Sequence, residues 1–235
     1  MKQYCCIGRG IELIQDCLPL GTDSILLSHF ASPLSGRVCD LGCGAGYVMI
    51  LAALRSPGQD ISLCGVDIRP GAISLAAENL RRAGLCAELL QGDLRDQTLL
   101  PPSGFDIVLS NPPYTPVHAG LPPADEEAAV ARMEYCCTLP DLTQTAARIL
   151  RPGGWFYVVY PAPRLSGLLY HLHAQGLEPK RLRFFARSPD ASPTLALVAA
   201  RRGGKPWLDI LPSLYIGSAE HRRIFAPLEE QEFQK

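Results

Sequence analysis

Short apolar runs alternate with stretches of helical periodicity between residues 36 and 161, and this alternation constrains the fold more than any other feature of the chain. The apolar runs are five to seven residues long and rich in Val, Ile and Leu, which is typical of buried strands in a parallel sheet. A strand followed by a crossover helix and another strand builds an open sheet with helices packed on it. The sequence therefore predicts an α/β domain with a mostly parallel sheet.

The pattern places five parallel strands and four helices. We expect the strands at 37–41, 61–67, 87–92, 105–110 and 154–160, and the helices at about 46–56, 70–83, 124–150 and 164–175. Two later runs, 181–187 and 195–201, are separated by a Ser- and Pro-rich turn and predict a closing antiparallel hairpin, which makes seven strands. Near the start, Thr22 and Asp23 precede an apolar helical pattern, and either side chain is a candidate N-cap.

Length and composition indicate one globular domain with short additions. The 235 residues contain no internal repeat and no obvious linker, so we divide them into an N-terminal extension with a capping helix (1–35), the α/β domain (36–205) and a C-terminal tail packed on or following it (206–235). Hydrophobic residues make up 47% and charged residues 19%, which excludes disorder driven by charge. No apolar run reaches a membrane-spanning length and the first residues do not resemble a secretion signal, so the prediction is a soluble, cytoplasmic protein.

Three glycines at alternating positions follow the first predicted strand, in Asp40-Leu41-Gly42-Cys43-Gly44-Ala45-Gly46. Glycine lets the backbone approach a ligand closely and adopt turns that a Cβ forbids. The spacing does not fit a dinucleotide fingerprint, in which the third glycine follows the second by three residues, and no Lys-Ser or Lys-Thr pair follows as in a P-loop. The segment therefore predicts a ligand-binding turn of another kind.

Acidic residues end the next two predicted strands. Asp67 lies 21 residues after Gly46, where a carboxylate can accept the hydroxyl hydrogens of a ribose, and Asp93 ends the third strand. With Asp40 they place one acid per strand at the edge where open α/β sheets bind ligands, although Asp67 or Asp93 alone could equally cap a helix. Carboxylates in place of Lys or Arg suit a cationic ligand without phosphates, and S-adenosylmethionine is such a ligand.

The fourth predicted strand stops at Asn111-Pro112-Pro113-Tyr114. Consecutive prolines end the strand ladder and stiffen the backbone, which would hold one amide side chain and one carbonyl at the crevice. The Asn111 side-chain oxygen and the Pro112 carbonyl can each accept one N–H of an amino group conjugated to a ring or carbonyl, and Tyr114 can stack on the flat group. These residues are the predicted catalytic segment; the alternative is a plain Pro-Pro turn.

Together, the segments 40–46 and 111–114 and the two strand-end acids resemble the successive motifs of class I S-adenosylmethionine-dependent methyltransferases with an Asn-Pro-Pro-Tyr site. The resemblance implies a Rossmann-like fold with a seven-stranded, mostly parallel sheet, helices on both faces and a C-terminal antiparallel hairpin. It implies methylation of an amino group of adenine, guanine or a glutamine side chain. The cofactor contacts that it implies come from Asp40, Gly42, Gly44, Gly46, Asp67, Asp93 and Asn111.

Segments outside that shared core carry a narrower resemblance, to the bacterial tRNA adenine-N6 methyltransferases that modify the anticodon loop of a valine tRNA. These segments are 21–27, 148–154, 176–182 and 201–205. The resemblance implies that Thr22 and Asp23 lie close to the active site; as noted, either can instead be a helix cap. The chain departs from that family after Tyr114, where Thr115 stands in place of an aromatic or hydrophobic residue.

Basic residues are concentrated between 164 and 205. This range contains eight basic and only two acidic residues, although the whole chain has a net charge of -1. Such a cluster can hold RNA phosphates, or it can be an ordinary solvated surface. The candidate RNA-binding residues are Lys180, Arg181, Arg183, Arg187, Arg201, Arg202 and Lys205.

The sequence thus predicts an S-adenosylmethionine-dependent N-methyltransferase acting on the adenine N6 amino group of a tRNA. A protein glutamine methyltransferase, another rRNA or DNA amino-methyltransferase, and a non-catalytic RNA-binding module are the alternatives. The nine cysteines include no Cys-x-x-Cys pair, so no metal site is expected. The oligomeric state stays open, with a monomer slightly favoured.

Overall fold

A computed structural model describes residues 3–8, 10–15, 19–113 and 137–229. The strands are β1 (Gln3–Cys6), β2 (Glu12–Gln15), β3 (Gly36–Leu41), β4 (Ile61–Asp67), β5 (Ala87–Gln91), β6 (Phe105–Ser110), β7 (Leu150–Pro161), β8 (Leu177–Ala186), β9 (Leu195–Arg202) and β10 (Asp209–Tyr215). The helices are α1 (Thr22–Ala31), α2 (Tyr47–Leu54), α3 (Pro70–Arg82), α4 (Leu139–Ile149), α5 (Leu165–Ala174) and α6 (Ala219–Glu229), with a 3₁₀ turn at Ala162–Arg164. The N-terminal half of the helix predicted at 124–150 lies mostly outside the described residues.

Eight strands form the main sheet, in the order β10-β8-β9-β7-β6-β3-β4-β5. Strands β3 to β7 pair in parallel, whereas β9 is antiparallel to both β7 and β8. The mostly parallel sheet and the C-terminal hairpin are confirmed, but the predicted count of seven strands is wrong. The additional strand, β10, pairs in parallel with β8 at the sheet edge.

The sequence pattern does not predict β10, because this strand lacks the apolar pattern of a buried strand. Most of its residues are exposed, and Pro212 cannot donate a backbone hydrogen bond to a ladder. The pairing with β8 shifts register between Leu211 and Leu214, and Pro212 lies in this stretch. A strand with one neighbour and an exposed face has little need of continuous apolar residues, so sequence periodicity does not reveal it.

Helices cover both faces of the sheet, as predicted. Helices α1, α2, α3 and α6 pack in one apolar core with residues such as Leu109 and Val159, and α4 and α5 pack in a second core around Phe156 and Val108. Helix α4 begins with a capping box, in which Thr138 and Asp141 satisfy each other's backbone N–H groups. None of the helices in the described ranges is long and apolar enough to cross a membrane.

The N-terminal extension forms an antiparallel hairpin, β1–β2, followed by α1. Leu13 of the hairpin and Leu27 of α1 are fully buried in the same core as α2 and α3. The expectation that Thr22 or Asp23 caps α1 is wrong, because Gly21 occupies the N-cap position and no side chain there accepts a hydrogen bond. Helix α1 therefore begins without a side-chain hydrogen bond at its N-cap.

Candidate active site

The strand order reverses between β3 and β6, and ligands of open α/β sheets bind outside the carboxyl ends of the strands at such a point. The register pairs Asp40 with Leu109, so the residues that follow each strand emerge side by side. The buried Ser110 hydroxyl donates a 2.8 Å hydrogen bond to the Leu41 carbonyl. This bond ties the end of β6 to the start of the glycine turn.

All three motif glycines adopt left-handed backbone conformations, with φ angles of 73° at Gly42, 53° at Gly44 and 81° at Gly46. Such angles are strained for residues with a Cβ, which explains the spacing of the glycines. Helix α3 packs under the turn, since a Cβ on Gly46 would lie 3.5 Å from the Cβ of Ala76. The glycine turn and the N-terminus of α2 therefore form a close-approach surface at the sheet edge.

Asp40 lies beneath this turn and is only 1% exposed. Neither of its carboxylate oxygens makes a hydrogen bond within the described residues. The pKa of Asp40 is raised to about 7, mainly by burial; the nearby Met49 N–H, which is outside hydrogen-bonding geometry, offsets part of the rise, and the negative charge of Asp67 adds to it. A buried carboxyl group without partners fits an environment that is completed by a cationic ligand.

Asp67 stands where predicted, at the end of β4, and anchors the glycine turn. Its Oδ2 accepts a 2.9 Å hydrogen bond from the Gly44 N–H, and its Oδ1 accepts one of 2.9 Å from the Arg69 N–H. The Arg69 side chain also binds both oxygens, from Nε to Oδ1 at 3.2 Å and from Nη2 to Oδ2 at 3.5 Å. The carboxylate is therefore both buried and ion-paired.

Asp93 repeats this arrangement after β5. Its Oδ1 accepts 2.9 Å hydrogen bonds from the N–H and the Nε of Arg95, and this guanidinium holds the pKa of Asp93 below its usual value. The side chains are more exposed than in the first pair, at 53% for Arg95 and 30% for Asp93. The expectation of carboxylates in place of Lys or Arg around the crevice is therefore wrong for Asp67 and Asp93, because an arginine two residues after each of these two acids binds it; Asp40 has no such partner within the described residues.

Asn111 follows β6, and its amide is held from the side of α1. Its Nδ2 donates a 3.1 Å hydrogen bond to the hydroxyl of Ser24, a buried residue. Thr22 and Asp23 share the first turn of α1 with Ser24, so that turn lies beside Asn111. Pro112 and Pro113 follow Asn111 and are half-buried. Tyr114, the last residue of the predicted catalytic segment, lies outside the described residues.

A buried amide that the sequence did not reveal supports the glycine turn. Asn79 of α3 is fully buried and donates hydrogen bonds from Nδ2 to the carbonyls of Ala45, at 3.1 Å, and Ile14, at 3.0 Å. Its Oδ1 accepts a 2.7 Å bond from the Ile14 N–H, and the Tyr47 hydroxyl donates to the Ile14 carbonyl at 3.1 Å. The only sequence signal was an Asn on the apolar side of a helix. Asn79 and Ser24 therefore join the set of site-supporting residues.

The structure does not bring the predicted RNA-binding residues together. Arg201 lies opposite Trp155, which pairs with Ile107 in the first half of β6, and Arg202 lies opposite Leu177 at the start of β8, so both are displaced from Asn111 toward the other end of the sheet. Lys180 donates to the Lys205 carbonyl in the same region.

The other three basic candidates lie further along β8, and two of them already have partners. Arg183 forms a two-pronged ion pair with Glu220 of α6, and Arg181 lies over the ring of Phe30. Arg187 follows the end of β8 and is exposed at the carboxyl edge of the sheet. Of the predicted basic set, Arg187 is therefore the residue best placed to meet a substrate at the site.

Residues 16–164 match the family model of the methyltransferase small domain. The chain belongs to this family. The matched range includes the glycine turn, Asn111, and the two acids Asp67 and Asp93 with the arginines that bind them. It confirms the predicted class of enzyme, a methyltransferase dependent on S-adenosylmethionine.

Curated relatives of this methyltransferase are tRNA1(Val) (adenine(37)-N6)-methyltransferases from several bacteria. The protein from Mannheimia succiniciproducens is 34% identical over 146 residues, which are 61% of this chain and 59% of that protein. The protein from Parabacteroides distasonis is 28% identical over 184 residues, 77% of this chain and 76% of that protein. The chain therefore spans less than two thirds of the first relative's length and about three quarters of the second's.

Solved structures with the same fold are also methyltransferases. One from Agrobacterium tumefaciens, described as a predicted O-methyltransferase, has a TM-score of 0.67 at 19% identity, covering 83% of this chain and 88% of that one. Geranyl diphosphate C-methyltransferase from Streptomyces coelicolor A3(2), in complex with Mg²⁺, geranyl diphosphate and S-adenosyl-L-homocysteine, has a TM-score of 0.52 at 14% identity, covering 76% and 78%. These similarities confirm the predicted class I methyltransferase fold.

The residues at the sheet edge fit S-adenosylmethionine. The left-handed glycines leave room where a Cβ would stand, and the buried Asp40 carboxyl group beneath them has no hydrogen-bond partner within the described residues. No phosphate has to be accommodated, which agrees with a turn that has carboxylates beside it. The residues that would hold the cofactor are those of the glycine turn together with Asp67.

Proposed function

We propose that this methyltransferase transfers a methyl group to the exocyclic N6 amino group of an adenine in tRNA. Bound S-adenosylmethionine supplies an electrophilic methyl group. The observation that carries the proposal is the position of Asn111: its amide is fixed by Ser24 and stands next to the glycine turn. The names of the relatives support adenine in tRNA as the acceptor.

The acceptor nitrogen of adenine needs orientation more than a strong base, because its lone pair is delocalised into the ring. In the proposed mechanism the Asn111 Oδ1 and the Pro112 carbonyl each accept one N–H of the amino group, which fixes the direction of its lone pair. The Ser24 hydroxyl holds the Nδ2 side of the Asn111 amide, so that Oδ1 points away from Ser24. The methylated nitrogen then loses a proton to solvent.

Positioning supplies much of the rate in such a mechanism. Alignment of two reactants in a near-attack geometry contributes on the order of 7 to 11 kcal/mol. The consecutive prolines after Asn111 restrict the backbone, and the Ser110 bond to Leu41 fixes the distance between the two loops. The proposed role of Tyr114 is to stack on the extruded base, as single-stranded RNA recognition commonly requires.

A methyl-transfer assay on separate acceptor pools tests this function. The protein is incubated with methyl-labelled S-adenosylmethionine and with tRNA, rRNA, DNA or cellular protein, and the products are hydrolysed for nucleoside and amino-acid analysis. We expect label in tRNA as N6-methyladenosine. Label in glutamine of a protein, or in rRNA or DNA with tRNA unlabelled, would contradict the proposal and support one of the alternatives. A tRNA substrate also implies that the enzyme works in the cytoplasm.

A further inference from the structure

The Asp67 carboxylate has no acceptor position to spare in this structure. A carboxylate oxygen offers two lone pairs. On Oδ1 they accept from the Arg69 backbone N–H and from Arg69 Nε, and on Oδ2 they accept from the Gly44 N–H and from Arg69 Nη2. The two backbone bonds hold the carboxylate in place. The guanidinium fills one remaining position on each oxygen.

A ribose cis-diol needs the same two positions. Its two neighbouring hydroxyl groups donate one hydrogen bond to each oxygen of a strand-end carboxylate, in the way that the two nitrogens of a guanidinium fork do. The fork also lies in the region that a ligand must enter, because a Cβ on Gly44 would be 3.7 Å from Arg69 Nη2. Arg69 and the diol therefore cannot bind Asp67 at the same time.

We propose that Arg69 is an affinity-determining residue that competes with the cofactor's ribose for the Asp67 carboxylate. The inference rests on the proposed function, since it takes the ligand to be S-adenosylmethionine. Loss of the guanidinium leaves Asp67, whose side chain is 7% exposed, with two unsatisfied acceptor positions that the diol then satisfies. Removing Arg69 therefore tightens binding, although removing a polar residue from a ligand site usually weakens it.

The effect belongs to Arg69 rather than to any arginine beside an acid. The Arg95–Asp93 pair has the same local sequence spacing but is much more exposed to water, where such a pair contributes little. Arg81 on α3 pairs with Glu78 at the surface, at 72% side-chain exposure, and provides a control variant that lies in neither the site nor the glycine turn.

The test measures dissociation constants by calorimetry for the full chain and for Arg69→Met, which keeps the apolar stem and the backbone N–H. We expect Arg69→Met to bind S-adenosylhomocysteine about tenfold more tightly than wild type, and Arg81→Met to bind as wild type does. The 2′,3′-dideoxy analogue of S-adenosylhomocysteine lacks the diol, so its affinity should be weak and equal in wild type and Arg69→Met.

Three results would overturn the inference. Unchanged or weaker binding of S-adenosylhomocysteine by Arg69→Met, with normal binding by wild type, removes the competition and leaves the proposed function intact. An equal gain in affinity for the dideoxy analogue shows that the diol is not the competitor. Failure of wild type to bind either S-adenosylmethionine or S-adenosylhomocysteine defeats the proposed function, and the inference with it. Thermal unfolding of each variant verifies that it is folded in the assay.

Discussion

Asn111 is the residue whose replacement best separates chemistry from cofactor binding. Asn111→Ala removes the proposed side-chain acceptor without touching the glycine turn or Asp67, so we expect kcat to fall by about two orders of magnitude or more. The dissociation constant for S-adenosylmethionine should change little. Single-turnover methylation of tRNA and calorimetric titration of the cofactor measure the two quantities.

Ser24→Ala tests the orientation of the Asn111 amide by a milder change. It leaves the Asn111 oxygen in place but removes the Ser24 hydroxyl to which Nδ2 donates, which weakens the hold on the productive orientation of the amide. We expect a smaller fall in kcat than for Asn111→Ala, again without loss of cofactor affinity. If Ser24→Ala has no effect on kcat, the orientation of the amide does not depend on this hydrogen bond.

Asp40 should make the stability of the protein depend on pH. Because its folded-state pKa of about 7 lies above the ordinary 3.8, the folded state keeps a proton that the unfolded state has lost between those values. Stability is therefore highest below pH 4 on account of this group and falls as pH rises to 7, by up to about 4 kcal/mol.

Denaturant unfolding of wild type and Asp40→Asn between pH 5 and pH 8 tests this dependence. The difference in unfolding free energy between the two proteins should change in favour of the variant as pH rises, because the amide does not titrate. Asp60→Asn, which removes an exposed carboxyl group instead of the buried one, is the matched control variant. Parallel curves for wild type and Asp40→Asn would show that Asp40 is already ionised at pH 5.

At the scale of elements, the N-terminal hairpin and the glycine turn are coupled through one amide. Asn79→Ala removes the bonds to both Ala45 and Ile14, and we expect a lower melting temperature together with a several-fold higher KM for S-adenosylmethionine at nearly unchanged kcat. Tyr47→Phe removes a bond to Ile14 but leaves the bond to Ala45, so it should cost stability, roughly 1 kcal/mol, without raising KM. An equal KM in both variants would restrict Asn79 to a structural role.

Sequence alone predicts the strands at the centre of the sheet well, and also the edge strand β5, whose ends lie within one residue of those expected. Strands β3, β4 and β6 begin and end within one residue of their expected positions, because a continuous run of apolar residues between turn signals has few other solutions. Strand β7 begins at Leu150, four residues before the expected start. Leu150 pairs with Phe105 of β6, and a glycine-containing stretch with a register shift follows before the next pair. The sequence did not predict the edge strand β10, because most of its residues are exposed and it has no continuous apolar run.

The same distinction applies to the site. The positions of Asp40, Asp67 and Asn111 at the sheet edge follow from where their strands end, which a parallel sheet determines. Their hydrogen-bond partners do not follow, because the choice of Arg69, Arg95 or Ser24 depends on side-chain rotamers and on how α1 packs against the sheet. Whether the predicted residues hold cofactor and substrate stays a prediction.

At the scale of the whole molecule, the sheet separates the basic residues that can reach a tRNA bound at Asn111 from those that cannot. Strand β8 stands three strands from β6, so its carboxyl end is on the order of 15 Å away across the sheet, within the width of an RNA stem-loop. Arg187→Glu should raise KM for tRNA several-fold at unchanged kcat, and reduce the slope of log affinity against log salt concentration by about 1.

Arg201→Glu is the matched control, because Arg201 is an exposed arginine at the opposite end of the sheet. Its KM and salt slope should equal those of wild type if the tRNA approaches along the carboxyl edge. The reverse result, a weaker and less salt-dependent interaction in Arg201→Glu with Arg187→Glu unaffected, would place the RNA along the other sheet end. In that case the anticodon loop would have to reach Asn111 around the side of the sheet rather than across its edge.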